Sequence, residues 1–495
     1  MTTANWRESA QRMSLARQAF IAGKFTNAAS GEMFGVINPS NGKRLGDLPQ
    51  CSAADVDRAV RAARQAFDDG RWAGMAPKAR KKVMLKLAAL VEKHRDELAL
   101  LDTLSMGMPI SISTGYCIQW TINALEWYGE AIDKLYDEVA PTDKSVLALI
   151  TKEPVGVVGA VLPWNWPMGL LGWKVPPALA TGNSIVLKPD EQTSFSALRF
   201  AELTLEAGVP EGVFNVVTGG PAVGEAIGRH LDIDVVGFTG STEVGKLFLK
   251  YSAESNMKPV WTECGGKGPN ILFADAPDLD VAAQTAAFAI FLNTGQVCAA
   301  GSRLIVEESI KERVLAKITA LGKQLVPSDP LQPETMLGPL AKSAQLERVL
   351  GYIQAGRQEG ARLIAGGGRA NPDSGGYFVE PTVFDGVSND MRIAREEIFG
   401  PVLSTITFKT QEEAIRIANS SIYGLSGAIW TRDISKAHTL ARALRVGSVA
   451  INAYADDAHD ITVPFGGYKQ SGSGRDKSLH ALDKYVQLKT TWVKL

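Results

Sequence analysis

The 495-residue chain is poor in the residues that several common chemistries need. It has four cysteines, Cys51, Cys117, Cys264 and Cys298, and none stands in a CxxC pair. That spacing argues against a zinc ribbon or a disulfide framework, so no metal site is expected and a reducing, cytoplasmic setting is. The five histidines, His94, His230, His438, His459 and His480, lie in no motif that would make one the base of a cysteine hydrolase. Basic side chains (52) and acidic ones (53) balance, which leaves no positive stripe for nucleic acid. No apolar run is as long as a membrane span. The first twenty residues are polar and carry Arg7, Arg12 and Arg17, unlike a signal peptide.

The length is too great for one core, so two or three domains are expected. Helical spacing covers 53–72, with Val56, Ala59, Val60, Ala63 and Phe67 on one face, and again 77–101. From about residue 150 short apolar runs alternate with helical stretches. Strands are expected at 155–162, 184–187, 213–217, 234–238 and 259–262, and helices at 172–181, 194–207, 221–230 and 241–255. Such alternation means a parallel sheet covered on both faces, with ligands at the carboxyl ends of its strands.

Two loops suit a dinucleotide. In Lys188-Pro189-Asp190-Glu191, a lysine and a carboxylate would grip the adenosine ribose. The carboxylate would repel a 2′-phosphate, favouring NAD over NADP. In Phe238-Thr239-Gly240-Ser241, Gly240 would let backbone approach a phosphate and Ser241 would open a helix beneath it. The same loop spells GxxxxGK, but Leu247 stands where a nucleotide triphosphatase needs a magnesium-binding hydroxyl. A second α/β unit follows, with helices at 308–324, 341–359 and 411–419 and strands near 303–306, 362–364, 402–408 and 427–430. Glu396 to Pro401 reads as a rigid loop between elements. The alternating tail, Tyr485 to Leu495, reads as a strand with no evident partner, which suggests pairing with another subunit.

Chemistry centres on Phe291 to Arg303. An apolar helix, 279–292, runs into Asn293 and Gly295, two stop signals, and Cys298 then sits on a short turn before a buried strand. A lone cysteine is ordinarily a small core residue. Two other stretches change that reading: Glu263-Cys264-Gly265-Gly266-Lys267 and Pro163-Trp164-Asn165-Trp166-Pro167. With Cys298 they supply a nucleophile, a carboxylate base and an amide donor.

These motifs resemble those of the NAD(P)-dependent aldehyde dehydrogenase superfamily. PWNWP is similar to the family's PWNFP, TECGGK to LELGGK, LNTGQVCAAGSR to FNQGQVCxAGSR, and EEIFGPV is identical. Finer similarity, at 130–134, 255–258 and 463–482, points to bacterial γ-glutamyl-γ-aminobutyraldehyde dehydrogenases. The resemblance implies an α/β fold with a Rossmann-type NAD domain (1–131 and 154–263), a catalytic domain (264–466) and a β oligomerisation arm (132–153 and 480–495). It implies a homo-oligomer, dimer or tetramer, acting on a small-molecule aldehyde with NAD. By the same resemblance Cys298 would be the nucleophile, Glu263 the general base and Asn165 an oxyanion donor, with Lys174 in electrostatic support. Trp164, Lys188, Glu191, Gly240, Ser241, Glu397 and Phe399 would hold the cofactor. Trp166, Leu170, Trp173, Val297, Tyr454 and Phe465 would line a substrate tunnel. The product would be a free acid, because a CoA-acylating enzyme has no use for Glu263. Carboxylates at Asp456, Asp457 and Asp460 would favour an ω-amino or γ-glutamylamino aldehyde, with plain aliphatic or aromatic aldehydes as the alternative. A non-catalytic nucleotide-binding protein is the alternative of another class. Cys264, beside Glu263, is a candidate for reversible oxidation with Cys298.

Overall fold

The computed structural model describes residues 3–454 and 460–495. Among the described residues nineteen strands fall into four sheets. The first has the order Val260–Glu263 (β11), Val235–Thr239 (β10), Val157–Val161 (β7), Ser184–Lys188 (β8), Phe214–Val216 (β9), Ala19–Ile21 (β1) and Lys24–Thr26 (β2). From β11 to β9 all neighbours are parallel. β7, β8 and β10 are buried at every position, as strands covered by helices on both faces must be. The parallel sheet expected from the alternation is therefore present. The antiparallel ribbon β1–β2, which extends it beyond β9, was not expected. Three-residue strands carry too little periodicity to be read.

The second sheet runs Arg362–Ala365 (β14), Thr382–Asp385 (β15), Val402–Phe408 (β16), Arg303–Glu307 (β13), Pro269–Leu272 (β12), Ser426–Trp430 (β17) and Ser448–Ile451 (β18). It is parallel except at the edge pair β14–β15. A hairpin of Met33–Ile37 (β3) and Arg44–Pro49 (β4) stands apart.

The third sheet corrects one expectation. Val486–Lys494 (β19) pairs within its own chain, antiparallel to Val146–Pro154 (β6), from Val486 opposite Pro154 to Lys494 opposite Val146. Glu138–Val139 (β5) lies on the far side of β6. The partner was missed because it lies more than 330 residues away and has no turn signal linking it. The sheet is poorly covered: Leu488, Trp492 and Leu495 are each more than 60% exposed.

The helix expected over 77–101 is two, Pro77–Lys93 and Arg95–Met106, broken at His94. The helix expected at 172–181 starts earlier, at Pro167, and runs to Ala180. Proline at its first position needs no N–H partner, which places the start there. This helix is buried at every position, so Lys174 within it requires a partner.

Candidate active site

The carboxyl ends of β8, β7, β10 and β11 stand side by side, with Lys188 opposite Val161, Val161 opposite Phe238, and Thr239 opposite Glu263. Each strand runs on into one of the motifs read from the sequence. Around these ends lies a cavity of about 270 Å³ whose walls include Trp164, Asn165, Leu170, Gly240, Ser241, Glu263, Cys298, Glu397 and Phe399. Seven chain segments converge on one space, Gln345 with Arg348 and Tyr423 supplying the other two. None of the described histidines lines it.

Cys298 is half-buried. The helix Leu279–Phe291 ends before it in three consecutive left-handed residues: Asn293 (φ 49°), Thr294 (φ 57°) and Gly295 (φ 71°). Two non-glycine residues in that region cost about 1–3 kcal/mol each. The surroundings over-determine them. Asn293 Nδ2 donates to the Asn165 carbonyl (2.9 Å), Thr294 Oγ1 to Gly338 O (3.0 Å), and the Ala341 N–H to Gln296 Oε1 (2.9 Å). A methyl group on Gly295 would lie 2.7 Å from the nitrogen of Pro401, so the thiol loop seats directly on the Glu396–Pro401 loop. There Phe399 is also left-handed (φ 61°) and meets Trp164 edge-to-face at 5.3 Å.

Asn165 Nδ2 donates to Gln296 O at 2.9 Å, which fixes the amide beside the thiol loop. An amide nitrogen has two N–H groups, and this bond uses one. Glu263 is held at its backbone from two sides. Its carbonyl accepts from the Gly240 N–H (3.0 Å), and it bridges antiparallel to Gly472. Its carboxyl is buried, and Oε1 has no hydrogen-bond partner among the described residues. Burial, then the charge of Asp476, pushes its pKa up to about 8 against the pull of Lys174, Lys484 and Arg475. Burial, then Glu263 and Glu397, holds the Cys298 thiol well above its ordinary value, so the resting group is the thiol.

Lys174 does not line the cavity. Its Nζ pairs with Asp476 Oδ2 at 2.6 Å, and Lys484 takes the other oxygen. All three are at least 95% buried. Sequence reading missed Asp476 and Lys484, since a lone acid in a glycine-rich stretch gives no local sign that it meets a lysine 302 residues away.

Glu397 Oε1 accepts from the Gly266 N–H at 2.9 Å, and burial pushes its carboxyl up to about 7. A methyl on Gly266 would sit 2.5 Å from the Cys298 carbonyl, which accounts for the second glycine of the pair after Cys264. Arg348 donates to Glu397 O (2.7 Å) and Gln345 to Phe399 O (2.7 Å). Both line the cavity and both escaped sequence reading; their i, i+3 spacing on the helix Ser343–Gln358 was the available signal.

Lys188 and Glu191 lie at the neighbouring strand end, outside this cavity, with Nζ 3.9 Å from Oε2. The expected cofactor fits what is present. Buried Lys188 spends Nζ on the Pro189 carbonyl (3.1 Å) at the mouth of the sheet, and Ser241 caps the helix Thr242–Ala253 there, accepting from the Val244 N–H. A cation, a carboxylate and a helix N-terminus along one edge form the donor set of a dinucleotide site.

Of the expected tunnel residues, Leu170 lines the cavity. Trp166 and Trp173 flank Trp120, at 4.7 and 5.7 Å, and Phe465 closes on Trp173 at 5.1 Å. Val297 is half-buried in the adjoining core. Tyr454 lies elsewhere: its hydroxyl donates to Ala299 O (2.8 Å) and fills the space over Gly268 and Gly301. Asp456 and Asp457 lie outside the described residues. Asp460 accepts from Thr462 within its own turn. Cys264 packs its sulfur against Gly245, where a methyl would come within 2.8 Å. Among the described residues no cluster could hold a metal ion.

The model of the aldehyde dehydrogenase family matches residues 25–491. The NADP/NAD-dependent aldehyde dehydrogenase PuuC of Escherichia coli is 48% identical, covering 99% of this chain and 98% of that protein. Among solved structures, the indole-3-acetaldehyde dehydrogenase AldA of P. syringae, in complex with NAD+, is 55% identical with a TM-score of 0.98. The γ-glutamyl-γ-aminobutyraldehyde dehydrogenase of Burkholderia cenocepacia is 51% identical, also at 0.98, and each covers both chains completely. A parallel dinucleotide sheet, a cysteine on a strained loop and these likenesses end to end lead to one assignment: the chain belongs to the aldehyde dehydrogenase family.

Proposed function

We propose that Cys298, Glu263 and Asn165 carry out the oxidation of an ω-amino or γ-glutamylamino aldehyde to its carboxylic acid. The observation that carries the reading is the meeting of a thiol, an amide donor and an unpartnered buried carboxyl oxygen in one cavity. Glu263 takes the thiol proton and sheds it to solvent. The sulfur of Cys298 bonds to the aldehyde carbon, and the oxygen that becomes an alkoxide is held by Asn165 Nδ2 and the Cys298 N–H. NAD, when bound, supplies the acceptor for the hydride of that carbon. Glu263 then deprotonates a water, which adds to the thioester; the carbon–sulfur bond breaks and the acid leaves. Lys174, tied to Asp476, keeps positive charge near Glu263. Trp164, Lys188, Glu191, Gly240, Ser241, Glu397 and Phe399 hold the cofactor.

The substrate class rests on the likeness to PuuC and to the Burkholderia enzyme. A panel of aldehydes assayed by NADH absorbance tests it, and a preference for uncharged aldehydes overturns it. The stack of Trp166, Trp120 and Trp173, with the likeness to the indole-3-acetaldehyde enzyme, favours a second reading in which flat aromatic aldehydes are taken. We assign residues 1–131 and 154–263 to the NAD domain, 264–466 to the catalytic domain and 132–153 with 480–495 to an arm that joins subunits. The exposed Leu488 and Trp492 support a homo-oligomer. The cytoplasm is the setting, and neither nucleic acid nor membrane is a partner.

A further inference from the structure

The loop expected to grip the adenosine ribose meets a fourth charged residue that sequence reading did not foresee. Lys342, from the second domain, reaches across to Asp190 at 2.8 Å and to Glu191 at 3.0 Å. It occupies the N-cap of the helix Ser343–Gln358, a position where lysine satisfies none of the free helix N–H groups. Its identity there is accounted for by its ammonium, which joins the two domains through that pair of carboxylates. Three residues on, the same helix begins to line the cavity around Cys298 with Gln345 and Arg348. One helix therefore reaches both ends of the cofactor site.

The charges change what Glu191 does. A lone carboxylate beside the ribose repels a 2′-phosphate, the ordinary reason such a site takes NAD. Here two ammonium groups, Lys188 and Lys342, face two carboxylates, Asp190 and Glu191, and the four charges cancel. Burial opposes ionisation of Glu191, but Lys342 and Lys188 outweigh it and keep the group charged. Asp190 is more enclosed than Glu191, with 15% against 38% of its side chain exposed, and holds Lys342 in place whichever way Glu191 turns. A phosphate arriving at the ribose 2′ position would displace the more exposed Glu191 and meet Lys342, freed on that side, together with Lys188.

We propose that Lys342 is a cofactor-selectivity residue, whose ammonium neutralises Glu191 and admits NADP alongside NAD. This rests on the reading of Lys188 and Glu191 as the ribose-binding pair. The test is kcat/KM for NAD and for NADP in the wild-type protein and in Lys342→Met, Lys342→Arg and Glu191→Gln, with dissociation constants from quenching of tryptophan fluorescence. The wild type reduces both cofactors. Lys342→Met lowers the NADP-to-NAD ratio of kcat/KM by about tenfold to a hundredfold, the worth of one charge-assisted contact. Lys342→Arg keeps the ratio within about threefold, since the charge remains. A wild type that neither binds nor reduces NADP overturns the proposal, as does a Lys342→Met protein with an unchanged ratio. Glu191→Gln separates the two readings: it raises the ratio if Glu191 holds the ribose. If Glu191→Gln raises it and Lys342→Met leaves it alone, the ribose reading stands and the role of Lys342 is refuted. If Glu191→Gln leaves it unchanged, the ribose reading itself falls.

Discussion

Glu263 combines a buried carboxyl, an oxygen without a hydrogen-bond partner among the described residues and a pKa pushed up to about 8. Below that value the group is mostly protonated and cannot accept a proton. Hydrolysis of the thioester is therefore expected to rise about tenfold per pH unit up to about pH 8 and then level off, and Glu263→Gln removes that rise while lowering turnover by about 10²–10⁴-fold. Stability moves the other way. The folded protein holds this proton more tightly than the unfolded chain, so the group's contribution is fully present below its unfolded pKa and is lost as pH rises through the folded one. The melting temperature of Glu263→Gln should exceed that of the wild type by a margin that widens from about pH 5 to about pH 8 and is constant beyond. Asn165→Ala should reduce kcat by about 10²–10³-fold with little change in KM, because its amide acts on the alkoxide and not on the ground state. At this scale the sequence was most informative where motif residues are close together, as around Glu263, Asn165 and Cys298. It was silent on Asp476, Lys484 and Lys342, whose partners are brought to them only by folding.

Among the elements, the loop Asn293–Gly295 decides where the thiol points. Its left-handed run persists because Asn165, Gly338 and Gly400–Pro401 enclose it. Gly295→Ala would put a side chain at φ 71° against the backbone of the facing loop. A loss of about 2–4 kcal/mol in denaturant unfolding is expected, with activity falling further than stability because the displaced loop carries Cys298. Asn293 and Gly295 were readable as stop signals, but the two-residue αL run before Gly295 was not, since threonine has no preference for that region. The parallel strands of the first sheet were legible within a few residues because their apolar runs are punctuated by helices, but of the second sheet's parallel strands β12, β15 and β18 were missed, each only four residues long. β1, β2 and the pairing of β19 with β6 were not, because strands of three residues and contacts across most of the chain leave no local pattern.

For the molecule as a whole, the site exists only where the two large sheets meet: Glu263 ends a strand of one, and Cys298 precedes a strand of the other. The small third sheet projects an apolar surface that the single chain leaves open, with Leu488 and Trp492 outward. Replacing both by glutamate should reduce the assembled mass seen by light scattering by half or more; an unchanged mass would place the interface elsewhere. The central claim is the covalent one, that substrate carbon bonds to Cys298 and waits there for Glu263. It is tested most directly by quenching the wild-type protein within a single turnover of aldehyde and NAD and reading the mass of the peptide that contains Cys298. The account predicts an acyl group on Cys298, one NADH released per site, and neither signal in Cys298→Ala. An unmodified Cys298, or steady NADH production by Cys298→Ala, would contradict it.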